Sequence, residues 1–156
     1  MKIQMILPTG QMLTTDVDSS YKILPNFEVF ELANVSAKED IKLVIDERAW
    51  KLLQMLQLTR YRYGRMKLNS VYRTTSFNAT VEGADTRSCH VKCWAFDWSW
   101  STPSKAVIDD VCEWWKNLCT MFNEIGAINI YKWGFHCEIG SDIQYGSKSF
   151  QIRDRR

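Results

Sequence analysis

Two segments of the chain carry apolar residues at the spacing of an amphipathic helix. The first covers about residues 46–62, and its apolar positions are Trp50, Leu53, Leu56 and Leu58. Asp46 can cap its N-terminus, and Gly64 is placed to end it. The second follows Pro103 and covers about residues 104–123, with an apolar stripe of Val107, Val111, Trp114, Trp115, Leu118 and Phe122. The pattern predicts two helices that each pack one face against a core.

Other segments alternate apolar and polar residues, which is the pattern of half-buried strands. They cover residues 66–73, 94–100, 127–131 and 135–139. The last two are joined by Lys132-Trp133-Gly134 and predict a hairpin that presents His136. In the 94–100 segment, Asp97 falls on the face opposite to that of the alternating aromatic residues, because successive side chains of a strand point to opposite faces.

These elements predict an α+β fold in which a small antiparallel sheet packs against two helices. At 156 residues the chain is long enough for one domain with its own apolar core. Residues 1–26 contain turn residues at 8–10 and 25–26, which indicate a loosely structured arm or a short hairpin. We therefore expect an arm over residues 1–26, a domain over residues 27–150, and a solvated basic tail over residues 151–156.

Composition limits the possible binding partners of the protein and its possible location in the cell. A net charge of +2 and a pI of about 8.3 are too mild to indicate nucleic-acid binding. No apolar stretch approaches the roughly 18 residues of a membrane span, and the start of the chain does not resemble a signal peptide. Five cysteines, an odd number, favour free thiols over a disulfide framework. We expect a monomer that is made in the cytoplasm without a signal peptide.

The two histidines and one aspartate suggest a metal site. Asp97 follows His90 after six intervening residues, and His136 lies in the downstream apolar run. Imidazole nitrogen and carboxylate oxygen both suit Zn²⁺, and a catalytic zinc ion uses three protein ligands with a fourth position for water. A second possibility is a thiol site built from Cys89, Cys93 and Cys137 with a histidine. Strand alternation, however, sends Cys137 to the side opposite His136.

Several short motifs occur in the order expected of one peptidase family. They are Ser70-Val-Tyr-Arg73-Thr with Phe77-Asn78, then Gly83, Ser88-Cys-His90 with Ala95-Phe-Asp97, Ile128-Asn-Ile-Tyr131, and Phe135-His136-Cys-Glu138-Ile-Gly140. Over about residues 27–140 the chain thus resembles the zinc D-Ala-D-Ala carboxypeptidase family. The resemblance is closest to its branch of bacterial and phage murein peptidases, which share the hedgehog/D,D-peptidase fold.

The resemblance implies a role for each matching residue. His90, Asp97 and His136 would be the zinc ligands, and we expect the small antiparallel sheet to carry all three. Arg73 would polarise the scissile carbonyl or hold a substrate carboxylate, because its planar guanidinium is permanently charged. Ser88 resembles a hydroxyl that supports a ligand or contacts the substrate. Glu138 stands where the family usually has Asp, on the same strand face as His136, and we expect it to accept a proton as general base.

Three positions depart from the family pattern. Val71 replaces a glycine before the Tyr-Arg pair, and Cys93 replaces a glycine three residues after the first ligand. Trp133 occupies a position where some relatives carry a catalytic acid. The resemblance therefore implies a zinc-dependent peptidase that cuts peptide stems or cross-links of peptidoglycan, either as a D,D-carboxypeptidase or as an endopeptidase. Such an enzyme would reach the wall through phage lysis or a virion. The alternative is a weakly active or inactive relative that binds cell-wall peptide.

Overall fold

The computed structural model describes residues 2–18, 20–34 and 41–156. Its helices are α1 (Val29–Leu32), α2 (Glu47–Tyr63), α3 (Thr75–Asn78), α4 (Lys105–Met121) and α5 (Ser141–Tyr145), with a one-turn 3₁₀ helix at Cys89–Lys92. Its strands are β1 (Lys2–Ile6), β2 (Met12–Asp16), β3 (Lys22–Leu24), β4 (Phe27–Glu28), β5 (Ala33–Asn34), β6 (Ile41–Ile45), β7 (Lys67–Ser70), β8 (Tyr72–Arg73), β9 (Ala95–Ser99), β10 (Gly126–Tyr131), β11 (Gly134–Ile139) and β12 (Gln151–Asp154). The fold is a mixed α/β arrangement of small sheets and several helices.

The largest sheet of the described chain has five strands in the order β12-β10-β11-β9-β7. The pairs β7–β9, β9–β11 and β11–β10 are antiparallel, whereas β10–β12 is parallel. The prediction of a purely antiparallel sheet is thus wrong at this one edge. The predicted hairpin is confirmed as β10–β11. In the pairing of β9 with β11, His136 lies directly opposite Asp97.

Both long helices are confirmed within two residues at each end. The Asp46 carboxylate accepts a hydrogen bond from the Ala49 amide at 2.6 Å, and Gly64 ends the helix with a φ of 77°. The buried face of α2 is rotated slightly from the predicted stripe, because Ala49, Leu52, Leu53, Met55 and Leu56 are buried while Trp50 is 42% exposed. Among the helices of the described chain, none has the length and apolar character that a membrane span needs.

The α4 helix packs against β10 and anchors the sheet from behind. Its buried residues include Trp115, which is 1% exposed and meets Phe96 of β9 edge to face at 5.3 Å between ring centroids. The Trp115 Nε1–H donates to the carbonyl oxygens of Ala127 and Glu138, at 3.1 and 3.3 Å. This side chain therefore joins α4 to both strands of the hairpin that carries His136.

Both ends of the chain join sheets, which differs from what the sequence pattern indicates. Strands β1 and β2 form the hairpin expected in the N-terminal arm, but β1 also pairs in parallel with β6. Residues 151–154, expected to be solvated, form the edge strand β12. Both are parallel pairings between distant segments, which short-range patterns do not reveal. Met1 and Ser19 of the arm and residues 35–40 of the domain lie outside the described residues, and the boundaries at 26 and 150 stay a prediction.

Candidate metal centre

Three different elements carry the histidines and the aspartate. Asp97 lies on β9 and His136 on β11, where strand pairing sets them opposite each other. His90 lies in the 3₁₀ helix Cys89–Lys92 and not on the sheet, which corrects the expectation that the sheet bears all three. Ser88 caps this short helix, since its Oγ accepts a hydrogen bond from the His90 amide at 3.3 Å.

Cys93 ends the same 3₁₀ helix in the left-handed conformation, with φ 57° and ψ 37°. Glycine adopts this conformation without steric cost, whereas a side chain makes it unfavourable. The structure therefore gives a physical reason why glycine would suit this position. The Cys93 side chain is completely buried.

The ligand atoms of the three side chains converge on one point. His90 Nε2 lies 3.2 Å from His136 Nδ1 and 3.2 Å from Asp97 Oδ2, and His136 Nδ1 lies 2.7 Å from Asp97 Oδ1. Tetrahedral ligands at about 2.0–2.1 Å from a zinc ion are separated from each other by about 3.3 Å. The two separations of 3.2 Å are close to that value, and the 2.7 Å contact between His136 and Asp97 is shorter, so the donor set fits zinc once these two side chains move slightly apart.

His90 is held in the form that can bind a metal. Its Nδ1 lies 2.7 Å from the Val71 carbonyl oxygen, an arrangement in which Nδ1–H donates and Nε2 keeps its lone pair. The ring is 2% exposed, and burial lowers the pKa of His90 more than the attraction of Asp97 raises it. The neutral imidazole therefore points Nε2 toward Asp97 and His136.

His136 lies between two carboxylates. Its Nδ1 faces Asp97, and its Nε2 lies 2.9 Å from Glu138 Oε2. Burial would lower the pKa of His136, but the hydrogen bonds with Asp97 and Glu138 outweigh burial and raise the pKa to about 9. Burial likewise would raise the pKa of Asp97, but His90 and His136 hold it well below its usual range. A proton on His136 thus occupies the place where a metal ion would bind.

Both oxygens of Glu138 have partners. Oε2 accepts from His136, while Oε1 accepts from Ser141 Oγ at 3.0 Å and from Arg153 Nη1 at 3.3 Å. The residue is 2% exposed. Strand alternation correctly predicts that Glu138 lies on the side of His136. Its contacts, however, are those of a carboxylate that orients a histidine ligand, and no oxygen is turned toward the cleft without a partner.

Arg73 lies beside Asp97 on the wall of the site. Its Nη2 donates to Asp97 Oδ2 at 3.0 Å and its Nε donates to Ser70 Oγ at 2.8 Å. These two hydrogen bonds fix the plane of the guanidinium. Its remaining N–H groups can therefore donate to a substrate oxygen without a change of side-chain rotamer.

A cleft of about 380 Å³ opens onto this group and is lined by Arg73, Ser88, His90, Asp97, His136 and Glu138. Glu82 and Asp85 line it from the loop before the 3₁₀ helix, and Tyr131 and Trp133 line it from the hairpin. The ring of Trp133 stacks on that of Tyr131, with 4.8 Å between ring centroids. A larger groove of about 780 Å³ lies between the N-terminal strands and α2, but its lining contains no histidine.

The five cysteines do not take part in this group. All are buried and free, and burial raises the pKa of each thiol, to about 12 for Cys89. Within the part of the chain that the structure describes, the set of possible ligand atoms that converges is that of His90, Asp97 and His136. The thiol alternative therefore has no support from the geometry.

Sequence reasoning did not identify two residues that hydrogen-bond to Glu138 in the site. Arg153 was assigned to a solvated tail, and Ser141 follows the last motif without an obvious role. Both touch Glu138. A signal was present for Arg153 in the alternation of residues 150–154, with apolar Phe150 and Ile152, which is typical of a strand.

Comparison with known proteins gives one match. The model of a protein family described as Peptidase M15 matches residues 25–133, a segment that includes Arg73, Ser88, His90 and Asp97 and ends before His136. The comparisons with curated proteins and with solved structures gave no match. The mixed α/β architecture is compatible with the fold of that family.

Proposed function

This chain belongs to the peptidase M15 family, a zinc D-Ala-D-Ala carboxypeptidase-type family, and on that premise we propose that it is a zinc-dependent peptidase of peptidoglycan. Its substrates would be the peptide stems or cross-links of the wall, and its sheet would have the hedgehog/D,D-peptidase arrangement. The observation that carries the proposal is the convergence of His90 Nε2, His136 Nδ1 and the Asp97 carboxylate at separations of 2.7–3.2 Å.

In this proposal His90, Asp97 and His136 hold the zinc ion. When bound, zinc polarises the scissile carbonyl and lowers the pKa of a water molecule toward about 7. Other groups of the protein keep these three side chains in the forms that bind the metal. Asp97 keeps its charge because two histidines and Arg73 surround it, and the Val71 carbonyl fixes the tautomer of His90.

Arg73 stabilises the negative charge that develops on the carbonyl oxygen, or it holds a substrate carboxylate. Its anchors to Asp97 and Ser70 keep the guanidinium beside the proposed metal position, so little reorganisation is needed as charge develops. Ser88, which lines the cleft and is partly exposed, offers its hydroxyl to the substrate while it caps the 3₁₀ helix.

The proton acceptor is better assigned to Glu82 than to Glu138. Both oxygens of Glu138 are engaged, and we assign that residue to orienting His136. Of the other carboxylates on the cleft, Asp85 accepts from the Arg87 amide at 2.7 Å. No hydrogen bond or ion pair engages Glu82 within residues 2–18, 20–34 and 41–156, and Glu82 is exposed on the cleft wall. A general base contributes roughly 10²- to 10⁴-fold to a rate.

The first test is mass spectrometry of peptidoglycan fragments incubated with the zinc-loaded protein, with and without chelator. We expect new amine and carboxyl termini that appear only with zinc, and the masses identify the bond. Glu82→Gln should lower the turnover number at least 100-fold, whereas Glu113→Gln, a change of an exposed glutamate on α4, should leave it unchanged. Zinc-loaded protein that leaves every fragment intact would refute the peptidase proposal.

The alternative of an inactive wall-binding relative rests on Trp133. An aromatic residue stacked on Tyr131 and 42% exposed stands where an acid is found in some relatives. Such a surface suits binding to an apolar or sugar face more than proton transfer. Binding of stem peptide by the zinc-loaded protein with no cleavage would select this alternative.

A further inference from the structure

The C-terminal strand β12 lies beyond the segment that the family model matches, yet it reaches the metal centre. It pairs in parallel with β10, and this register sets Arg153 opposite Asn129. From there Arg153 Nη1 contacts Asn129 Oδ1 at 3.4 Å and Glu138 Oε1 at 3.3 Å. A strand at the sheet edge therefore brings a cation to the back of the proposed site.

Glu138 is a buried carboxylate that needs hydrogen-bond or ion-pair partners. Its side chain is 3% exposed, while that of Arg153 is 28% exposed. An ionised carboxylate removed from water is stable only when it is paired or hydrogen-bonded. Arg153 and Ser141 supply those partners at Oε1 and leave Oε2 directed at His136 Nε2.

The contact at Oε2 decides which nitrogen of His136 faces the metal position. With Nε2 held by Glu138 at 2.9 Å, the ring presents Nδ1 to Asp97 and His90. A ring released from Glu138 could rotate about its side-chain torsions and lose that alignment. Carboxylates that fix histidine ligands in this way typically contribute 10- to 100-fold to metal affinity.

We propose that β12 completes the metal centre, and that Arg153 is a positioning residue that holds Glu138 against His136 and thereby increases zinc affinity. This inference rests on the proposed zinc site. It adds that residues after 133, and the terminal strand in particular, belong to the working site and not only to the scaffold.

The test measures the zinc dissociation constant by competition with a chromophoric chelator. Arg153→Gln should weaken binding roughly 10- to 100-fold, and Arg153→Lys, which keeps the charge, should recover part of that loss. Arg155→Gln is the matched control, since Arg155 is exposed immediately after the same strand, and it should leave the constant unchanged. Circular dichroism of each metal-free variant at the same temperature checks that all are folded.

A double-mutant cycle separates positioning from a general structural effect. If Arg153 acts through Glu138, Arg153→Gln should have less than about a threefold effect in a Glu138→Gln background. An equal loss in both backgrounds, or wild-type affinity in the Arg153→Gln variant, would overturn the inference. Absence of zinc binding by the wild-type chain and by Arg155→Gln would instead refute the proposed zinc site itself.

Discussion

The proton on His136 competes with the zinc ion, so acidification should weaken zinc binding steeply. Metal-free His136 has a pKa raised to about 9, because the hydrogen bonds with Asp97 and Glu138 outweigh the effect of burial. A histidine must lose its proton before it can coordinate a metal. Zinc binding therefore releases this proton, and a lower pH favours the metal-free form.

The size of the effect follows from that pKa. At pH 7 a group with a pKa of about 9 is about 99% protonated, so apparent zinc affinity should fall about tenfold from pH 7 to pH 6. A histidine with the ordinary pKa of about 6.5 would give only about a threefold change over the same interval. Burial lowers the pKa of His90, and that residue therefore adds little to the difference.

The assay is chelator competition at pH 6.0 and pH 7.0, corrected for protonation of the chelator. Nuclear magnetic resonance of the metal-free protein gives an independent value, and the assignment is simple because the chain has two histidines. We expect a tenfold change and a His136 midpoint near 9. A change of threefold or less, together with a midpoint near 6.5, would refute the reasoning about the two carboxylates.

Three further predictions concern stability. In metal-free protein the raised pKa of His136 stabilises the fold below the unfolded-state pKa of about 6.5, and this contribution is lost as the pH rises through about 9. Between pH 6.5 and 9.5, wild type should therefore lose about 3 kcal/mol more in urea unfolding than a His136→Gln control, in which the buried thiols titrate equally. Gly134→Ala should cost more than about 2 kcal/mol in urea unfolding, because φ is 149° and a Cβ would overlap the Trp98 carbonyl oxygen. Trp115→Phe removes the Nε1–H that reaches Ala127 and should cost about 1–3 kcal/mol by thermal unfolding.

Local patterns were sufficient for the strands that carry Asp97 and His136, but not for the 3₁₀ helix that carries His90. Helix periodicity predicted α2 and α4, and strand alternation predicted the hairpin that presents His136. The same alternation placed Glu138 on the side of His136 and Cys137 on the other. These predictions succeed because a helix or a strand with one buried face leaves its period in the sequence.

What the sequence did not reveal depends on contacts between distant segments. The parallel pairings of β1 with β6 and of β12 with β10 leave no periodic signal in the sequence, so the N-terminus was assigned to an arm or short hairpin and the C-terminus to a solvated tail. The contacts of Glu138 were not foreseen for a related reason. Its Oε1 is engaged by Ser141 and Arg153 while its Oε2 faces His136, and the contact with Arg153 exists only because β12 packs beside β10.

Cys93 shows the opposite case, in which a departure from a family pattern acquires a physical meaning only in the structure. Its position has a left-handed backbone with φ 57°, which glycine adopts readily. The sequence could identify the substitution, whereas the strain at that position required the backbone angles.

The most direct test of the account is an anomalous difference map, recorded at the zinc absorption edge, from crystals of the protein loaded with one equivalent of zinc. We expect one strong peak at about 2.0–2.1 Å from His90 Nε2 and His136 Nδ1 and about 2.0–2.2 Å from an Asp97 oxygen. A peak on the cysteines or elsewhere on the surface, with these three side chains free of metal, would contradict it.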